Sequence, residues 1–151
     1  SYANDFAYGH WDDSKELLLN REQRTNTTTP DSTQLTFKGK VAHFSDALII
    51  YQFANNQLRS GFFDFNQQHI LFQDYINDYF LISDQLTNTY GPASEKKQYW
   101  ADKADIVASE QWGNALISGI LSLQTTWETD NSIIQLQLSS VQQKVQHQQL
   151  L

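Results

Sequence analysis

A chain of 151 residues, 40% hydrophobic and 13% aromatic, is long enough to bury one sizeable core and too apolar for intrinsic disorder. A net charge of −7 and a pI near 4.8 argue against nucleic-acid or anionic-membrane surfaces, which require a basic stripe. The absence of cysteine removes disulfides, thiolate metal sites and cysteine nucleophiles.

No apolar run approaches the roughly 20 residues needed to cross a bilayer as a helix, so no transmembrane segment is expected. The chain starts at Ser1 and contains no methionine. With the missing thiols and an Asn/Gln/Thr-rich surface, this favours an extracytoplasmic protein, periplasmic or secreted or lipid-anchored, whose leader is not visible.

In chain order, Tyr2, Phe6, Tyr8 and Trp11 surround Gly9 and His10 in an irregular aromatic segment, read as a lid on a sheet edge. Asp13 and Glu16 have the spacing of an N-cap and its third helical residue, which predicts a short helix from about Ser14 to Glu22 with Leu17, Leu18 and Arg21 inward. Arg24 to Thr33 is a polar loop. From Gln34 the period changes to two: Leu35, Phe37 and Val41, then Ala47 to Phe53, then Leu58 to Phe65 read as strands, with Asn55-Asn56 as a tight turn. Leu48-Ile49-Ile50-Tyr51 is apolar on both faces, as in an inner strand covered on each side, and Gly61 marks a bulge or a close backbone approach.

The strongest helical signal runs from Ile70 to Pro92. Phe72, Tyr75, Ile76, Tyr79, Phe80, Leu86 and Tyr90 recur mostly three or four residues apart, and Gly91-Pro92 forms a stop. Glu95 to Trp100 reads as a strand and Ala101 to Gln111 as a polar excursion. A clear hairpin follows, with Leu121, Leu123, Thr125 and Trp127 on one face, a turn at Thr129 to Ser132, and Ile134, Leu136 and Leu138 inward on the return. Gln143 to Leu151 reads as an edge strand, which would allow a homodimer through edge pairing.

The expected fold class is therefore α+β, with one domain spanning 1–151. It is read as two tandem helix-plus-hairpin units, about 12–66 and 70–151, sharing one antiparallel sheet with the helices on one face.

Tyr8-Gly9-His10-Trp11-Asp12-Asp13-Ser14 through Leu18 resembles the "W-x-x-S-x-x-x-V" opening of small exported bacterial proteins of unknown function, with Leu18 in place of the valine. Tyr90-Gly91-Pro92 resembles their "Y-G-x-P" helix exit, with the proline one residue early, and Trp112-Gly113 and Trp127-Glu128-Thr129-Asp130 resemble later segments. That layout is similar to β-lactamase-inhibitor-like domains and small outer-membrane assembly lipoproteins. The resemblance implies an extracytoplasmic binding domain and supplies no catalytic residue.

No catalytic, metal or cofactor constellation emerges from the residues themselves. His10, His43, His69 and His147 lack ligand spacing and read as surface histidines beside strands. Asp12/Asp13, Asp102/Asp105 and Glu128/Asp130 are paired carboxylates, explained by a cap, a solvated loop and a hairpin end. The aromatic surplus is the stronger signal. Tyr99, Trp100 and Trp112 flank the polar excursion and form the candidate binding residues, since exposed Trp and Tyr favour protein interfaces. The leading reading is a non-enzymatic module that binds a macromolecule, with protein as the expected partner. The alternatives are an inhibitor or immunity-type protein that blocks an enzyme, and an enzyme with dispersed carboxylates.

Overall fold

Alternation of apolar and polar residues over eight segments builds a single antiparallel sheet. The computed structural model describes residues 4–140 and 142–151, so Tyr2 lies outside the described residues. The elements are α1 (Lys15–Arg21), β1 (Thr25–Asn26), β2 (Gln34–Val41), β3 (Phe44–Ala54), β4 (Gln57–Phe65), α2 (Gln73–Tyr90), β5 (Glu95–Trp100), α3 (Trp112–Ile117), β6 (Leu121–Glu128), β7 (Ser132–Ser139) and β8 (Gln142–Gln149). The strand order is β1-β2-β3-β4-β8-β7-β6-β5, so each half of the chain runs from its own edge to the centre. The C-terminal segment is a central strand and not the expected edge. β8 pairs with β4 on one side and β7 on the other, which leaves it no free edge for pairing a second copy.

The helices cover one face, as expected for this α+β class. Leu35 and Phe37 of β2, Ile49 and Tyr51 of β3, Phe63 and Phe65 of β4, Val145 of β8, Leu136 of β7 and Leu123 of β6 share that face through the strand register. Two buried clusters result. One gathers Phe6, Trp11 and Leu18 over β2–β4, and the other gathers Ile76, Tyr79, Ile82 and Leu116 over β6–β8. Phe63 and Val41 touch both clusters, so the apolar layer is continuous. Leu48 and Ile50 point to the opposite face, which no helix covers. Ile50 is buried there by its cross-strand neighbours Thr36 and Phe62 and not by a second layer.

Local chemistry sets the turns. Asn55 and Asn56 adopt φ of 53° and 57°, the left-handed pair of a tight hairpin. A Cβ on Gly61 would collide with the Phe6 ring, so glycine lets that ring lie directly on β4. Ser14, not Asp13, caps α1, because its hydroxyl accepts from the Leu17 N–H at 3.3 Å. Asp13 instead accepts from the His10 N–H and pairs with Arg21 at 2.7 Å, which holds Arg21 outside; Leu17 is also exposed and Leu18 alone of the three expected residues is buried. The long helix α2 begins three residues later than Ile70. Ile70 is 97% exposed, because the chain turns into the helix only at Gln73, where α3 packs against it. Its buried stripe is Ile76, Tyr79 and Ile82, while Phe80 lies 48% exposed on the flank that faces Trp112.

One histidine expected at the surface is interior. His147 is 4% exposed among Phe6, Phe63 and Tyr90, at ring distances of 5.2, 5.9 and 6.0 Å, and its Nδ1 has no partner among the described residues. Burial lowers its pKa to about 4, against a weaker upward pull from Asp5. Because the folded pKa lies below the unfolded value of 6.5, the neutral ring is the folded form. Its contribution to stability is present above about pH 6.5 and is lost as pH falls towards 4, a change of roughly 3 kcal/mol. Urea denaturation at pH 7, 5.5 and 4.5 is therefore expected to show a steeper acid loss in the native chain than in His147→Leu. Equal slopes would place the acid sensitivity elsewhere.

Candidate functional site

Strand β5 is an outer edge of the sheet, paired with β6 alone. Its alternation decides the fate of the three candidate aromatics. Lys96, Gln98 and Trp100 stand opposite Thr125, Leu123 and Leu121, which are buried under the helices, so they share that face. Glu95, Lys97 and Tyr99 stand opposite Thr126, Gln124 and Ser122 on the helix-free face. Trp100 and Trp112 are thus brought together, their ring centroids 6.4 Å apart and steeply inclined. Tyr99 is separated from them by the thickness of the sheet and lines a shallow cleft with Ser122, Gln124, Gln137 and Lys144. Adjacent residues on a strand point to opposite faces, so Tyr99 and Trp100 cannot serve one contact.

Phe80 replaces Tyr99 in the cluster. Its ring stacks on Trp112 at 6.3 Å with a 26° tilt. Phe80, Trp112, Lys96 and Gln98 wall a groove of about 120 Å³ whose floor is Tyr79, Leu123 and Thr125. The floor is fixed by a hydrogen bond of 2.6 Å between the Tyr79 hydroxyl and Thr125 Oγ1, and burial raises the Tyr79 pKa to about 12, so the phenol stays neutral. The helical period of α2 allowed Phe80 to be read as core; only the position of α3 shows that it faces the groove.

Helix α3 carries Trp112 and gave no helical signal, being six residues long and containing Gly113 and Asn114, both poor helix formers. Tertiary bonds fix it. The Gly113 N–H donates to Gln73 Oε1 at 2.9 Å, Gln73 Nε2 donates to the Ser109 carbonyl at 3.0 Å, and Trp112 Nε1 donates to the Val107 carbonyl at 3.2 Å. A Cβ on Gly113 would come within 2.5 Å of the Gln73 backbone nitrogen.

A second cavity, of about 320 Å³, opens at the end of the sheet where β4, α3, β7 and the start of β8 meet. Phe65, Tyr75, Leu116 and Leu138 give it apolar walls, and Asn66, Gln67, Gln68, Ser139, Ser140 and Gln143 give it amides and hydroxyls. Gln143 is 4% exposed and its Oε1 has no hydrogen-bond partner among the described residues. Beside the cavity, His69 Nε2 meets Asp78 Oδ2 at 2.5 Å and the His69 N–H donates to the Tyr75 hydroxyl at 3.0 Å, which anchors the connection into α2.

The paired carboxylates are occupied separately. Asp12 binds Arg59 at 2.5 Å, Asp13 binds Arg21, and Asp102 accepts from the Ala104 N–H at 3.0 Å. A further cleft of about 650 Å³ is lined by Asp5 and His10 with Thr89, Tyr90 and Ser132, and none of these clefts is lined by two carboxylates. Among the described residues no group of three His, Asp or Glu side chains is placed to hold a metal ion. No protein-family model, curated protein or solved structure matches the chain.

Replacing Gly113 with alanine is expected to push α3 off the α2 backbone, since neither backbone can yield as a side-chain tip would. A loss of about 1–3 kcal/mol in urea denaturation, with a red shift in tryptophan emission as Trp112 gains solvent, is the expected outcome. Unchanged stability and emission would show that α3 is not pinned at this contact.

Proposed function

We propose that this protein is a non-enzymatic binding module that takes an extended peptide segment of a partner protein along the free edge of β5. The observation that carries the reading is an unpaired strand edge running beside a half-exposed aromatic groove. Edge strands present unpaired N–H and C=O groups in a row, and a partner strand added there gains affinity from the backbone and specificity from pockets for alternate side chains. Phe80 and Trp112 wall the pocket, with Trp100 packed beside the Trp112 ring at 6.4 Å, and it is suited to one aromatic or large aliphatic side chain. Lys96 on the groove wall favours an acidic residue nearby in the peptide.

An extracytoplasmic site of action is part of the same proposal, supported by the thiol-free composition and a surface rich in uncharged polar residues. Fractionation of cells that express the tagged full-length gene product tests it. The two halves are likewise proposed to be copies of one helix-plus-meander unit, supported by a strand order that runs from each edge inward.

Selection from a random peptide display library against the immobilised chain tests the binding reading. Recovered peptides are expected to share a large apolar residue with an acidic residue close by, to slow amide exchange in β5, and to bind at least tenfold more weakly to Trp112→Ala. Tyr99→Ala, which alters the opposite face, is expected to leave affinity unchanged. Failure to recover saturable binders, or binders indifferent to Trp112→Ala, would overturn the proposal.

A further inference from the structure

An edge strand offers only the backbone groups that its inner neighbour leaves free, so the bonds between β5 and β6 decide what β5 presents. The Ile120 carbonyl accepts from the Ala101 N–H and the Thr126 carbonyl accepts from the Ser94 N–H, both at 2.8 Å. Alternate residues of a strand aim their backbone groups to the same side, so Ser122, Gln124 and Thr126 are the β6 residues that bond to β5. Their register partners Tyr99, Lys97 and Glu95 are occupied in return. The N–H and C=O groups of Lys96, Gln98 and Trp100 are left along the open edge.

Those three residues also carry their side chains on the helix-covered face, where the groove lies. A strand added antiparallel to β5 meets them in hydrogen-bonded pairs, and the added residues of those pairs turn their side chains to the groove. Antiparallel addition continues the pairing of every ladder in this sheet and is the more stable arrangement per residue. Charge is divided between the faces. Glu95 and Lys97 pair with each other at 2.8 Å on the helix-free side. Lys96 enters no ion pair among the described residues, and Gln98 Oε1 is taken by Trp100 Nε1 at 3.1 Å. Lys96 is thus the uncompensated charge of β5, and it stands on the groove side.

We infer that β5 selects its peptide by direction and spacing, with Lys96 as the residue that reads charge. A large apolar side chain lies opposite Gln98, against Phe80 and Trp112, and an acidic side chain lies opposite Lys96, two residues nearer the peptide's C-terminus. The order follows because an antiparallel strand passes Trp100 first and Lys96 last. The residue opposite Trp100, two before the apolar one, meets the half-buried indole and suits a β-branched side chain. The inference rests on the strand addition proposed above and adds to it the register, the direction and the charge-reading residue.

The test titrates three heptapeptides of one composition into the isotope-labelled full chain and follows amide NMR and hydrogen exchange. Thr-Val-Thr-Phe-Thr-Glu-Thr has the inferred order. Thr-Glu-Thr-Phe-Thr-Val-Thr reverses it, and Thr-Val-Thr-Phe-Glu-Thr-Thr moves the acid to the other face. The first is expected to bind at least fivefold more tightly than either of the others. It is expected to slow exchange at the Lys96, Gln98 and Trp100 amides, which exchange fast in the free chain, and to leave Lys97 and Tyr99, already bonded to β6, unchanged. Lys96→Glu, at an exposed position, is expected to move the preference to the same peptide with lysine in place of glutamate, whereas Lys97→Glu leaves the ranking as it was. Equal affinities, a preference for the reversed or shifted peptide, or a ranking indifferent to Lys96→Glu would overturn the inference while leaving strand addition at β5 in place. Absence of saturable binding by all three peptides would also overturn it, and the display selection then decides separately whether β5 takes a peptide at all.

Discussion

The ladder between β4 and β8 is the constraint on which the rest of the molecule depends. It runs from Ser60 opposite Gln148 to Phe65 opposite Gln143, and it turns two meanders into one sheet. Side-chain bonds reinforce it across long stretches of chain: Gln142 reaches Asp64 over 78 residues, and Arg59 reaches Gln149 over 90. Such non-local pairing is entropically costly to close and slows folding relative to local contacts. Once formed, it places Phe63 between both apolar clusters and sets the His147 ring against Phe6 and Phe63. The buried histidine therefore belongs to the join itself, and its acid sensitivity reports on the part of the fold that holds the halves together.

Because all three helices lie on one face, the other face must remain compatible with water. It does so with glutamine more than with charge. Gln124, Gln135, Gln137 and Gln146 occupy consecutive outward register positions, and Gln137 donates to Gln124 at 3.3 Å. Lys144 lies over the Phe62 ring at 4.9 Å, shielding part of the apolar strip that Leu48, Ile50 and Phe62 would otherwise present. An open sheet face made this way is hydrated, and apart from the cleft beside Tyr99 the pockets described above lie at the margins of the helix-covered layer.

Those margins differ in chemistry. The β5 groove is aromatic, shallow and bordered by unpaired backbone, which suits an extended chain. The cavity at the sheet end is larger, uncharged among the described residues and amide-rich. Both use α3, the first through Trp112 and the second through Leu116, so the contact of Gly113 with the α2 backbone supports both at once. A six-residue helix held mainly by tertiary bonds is thus the shared support of the groove and the cavity.

Period-two alternation was enough to read β2–β4, β6, β7 and the inward residues of the second hairpin, because each inward position pays a large hydrophobic penalty if exposed. The Asn55-Asn56 turn, the close approach at Gly61 and the Gly91 exit of α2 were legible for an equally local reason, since few residues tolerate those backbone conformations. What the sequence could not reveal depended on distant partners. Glutamines in β8 suit an edge strand, yet pairing with β4 and β7 put it at the centre; Phe80 fits a helical core stripe, yet α3 drew it to the rim beside Trp112. The candidate site divided for the same reason: Trp100 joined Trp112 and Tyr99 did not, because strand alternation assigns opposite faces, while the choice of which face meets α3 belongs to the tertiary fold. Gln143 illustrates the limit most clearly. Its amide blends into a glutamine-rich strand, and only the pairing with β4 and β7 buries it opposite Phe65 and Leu138.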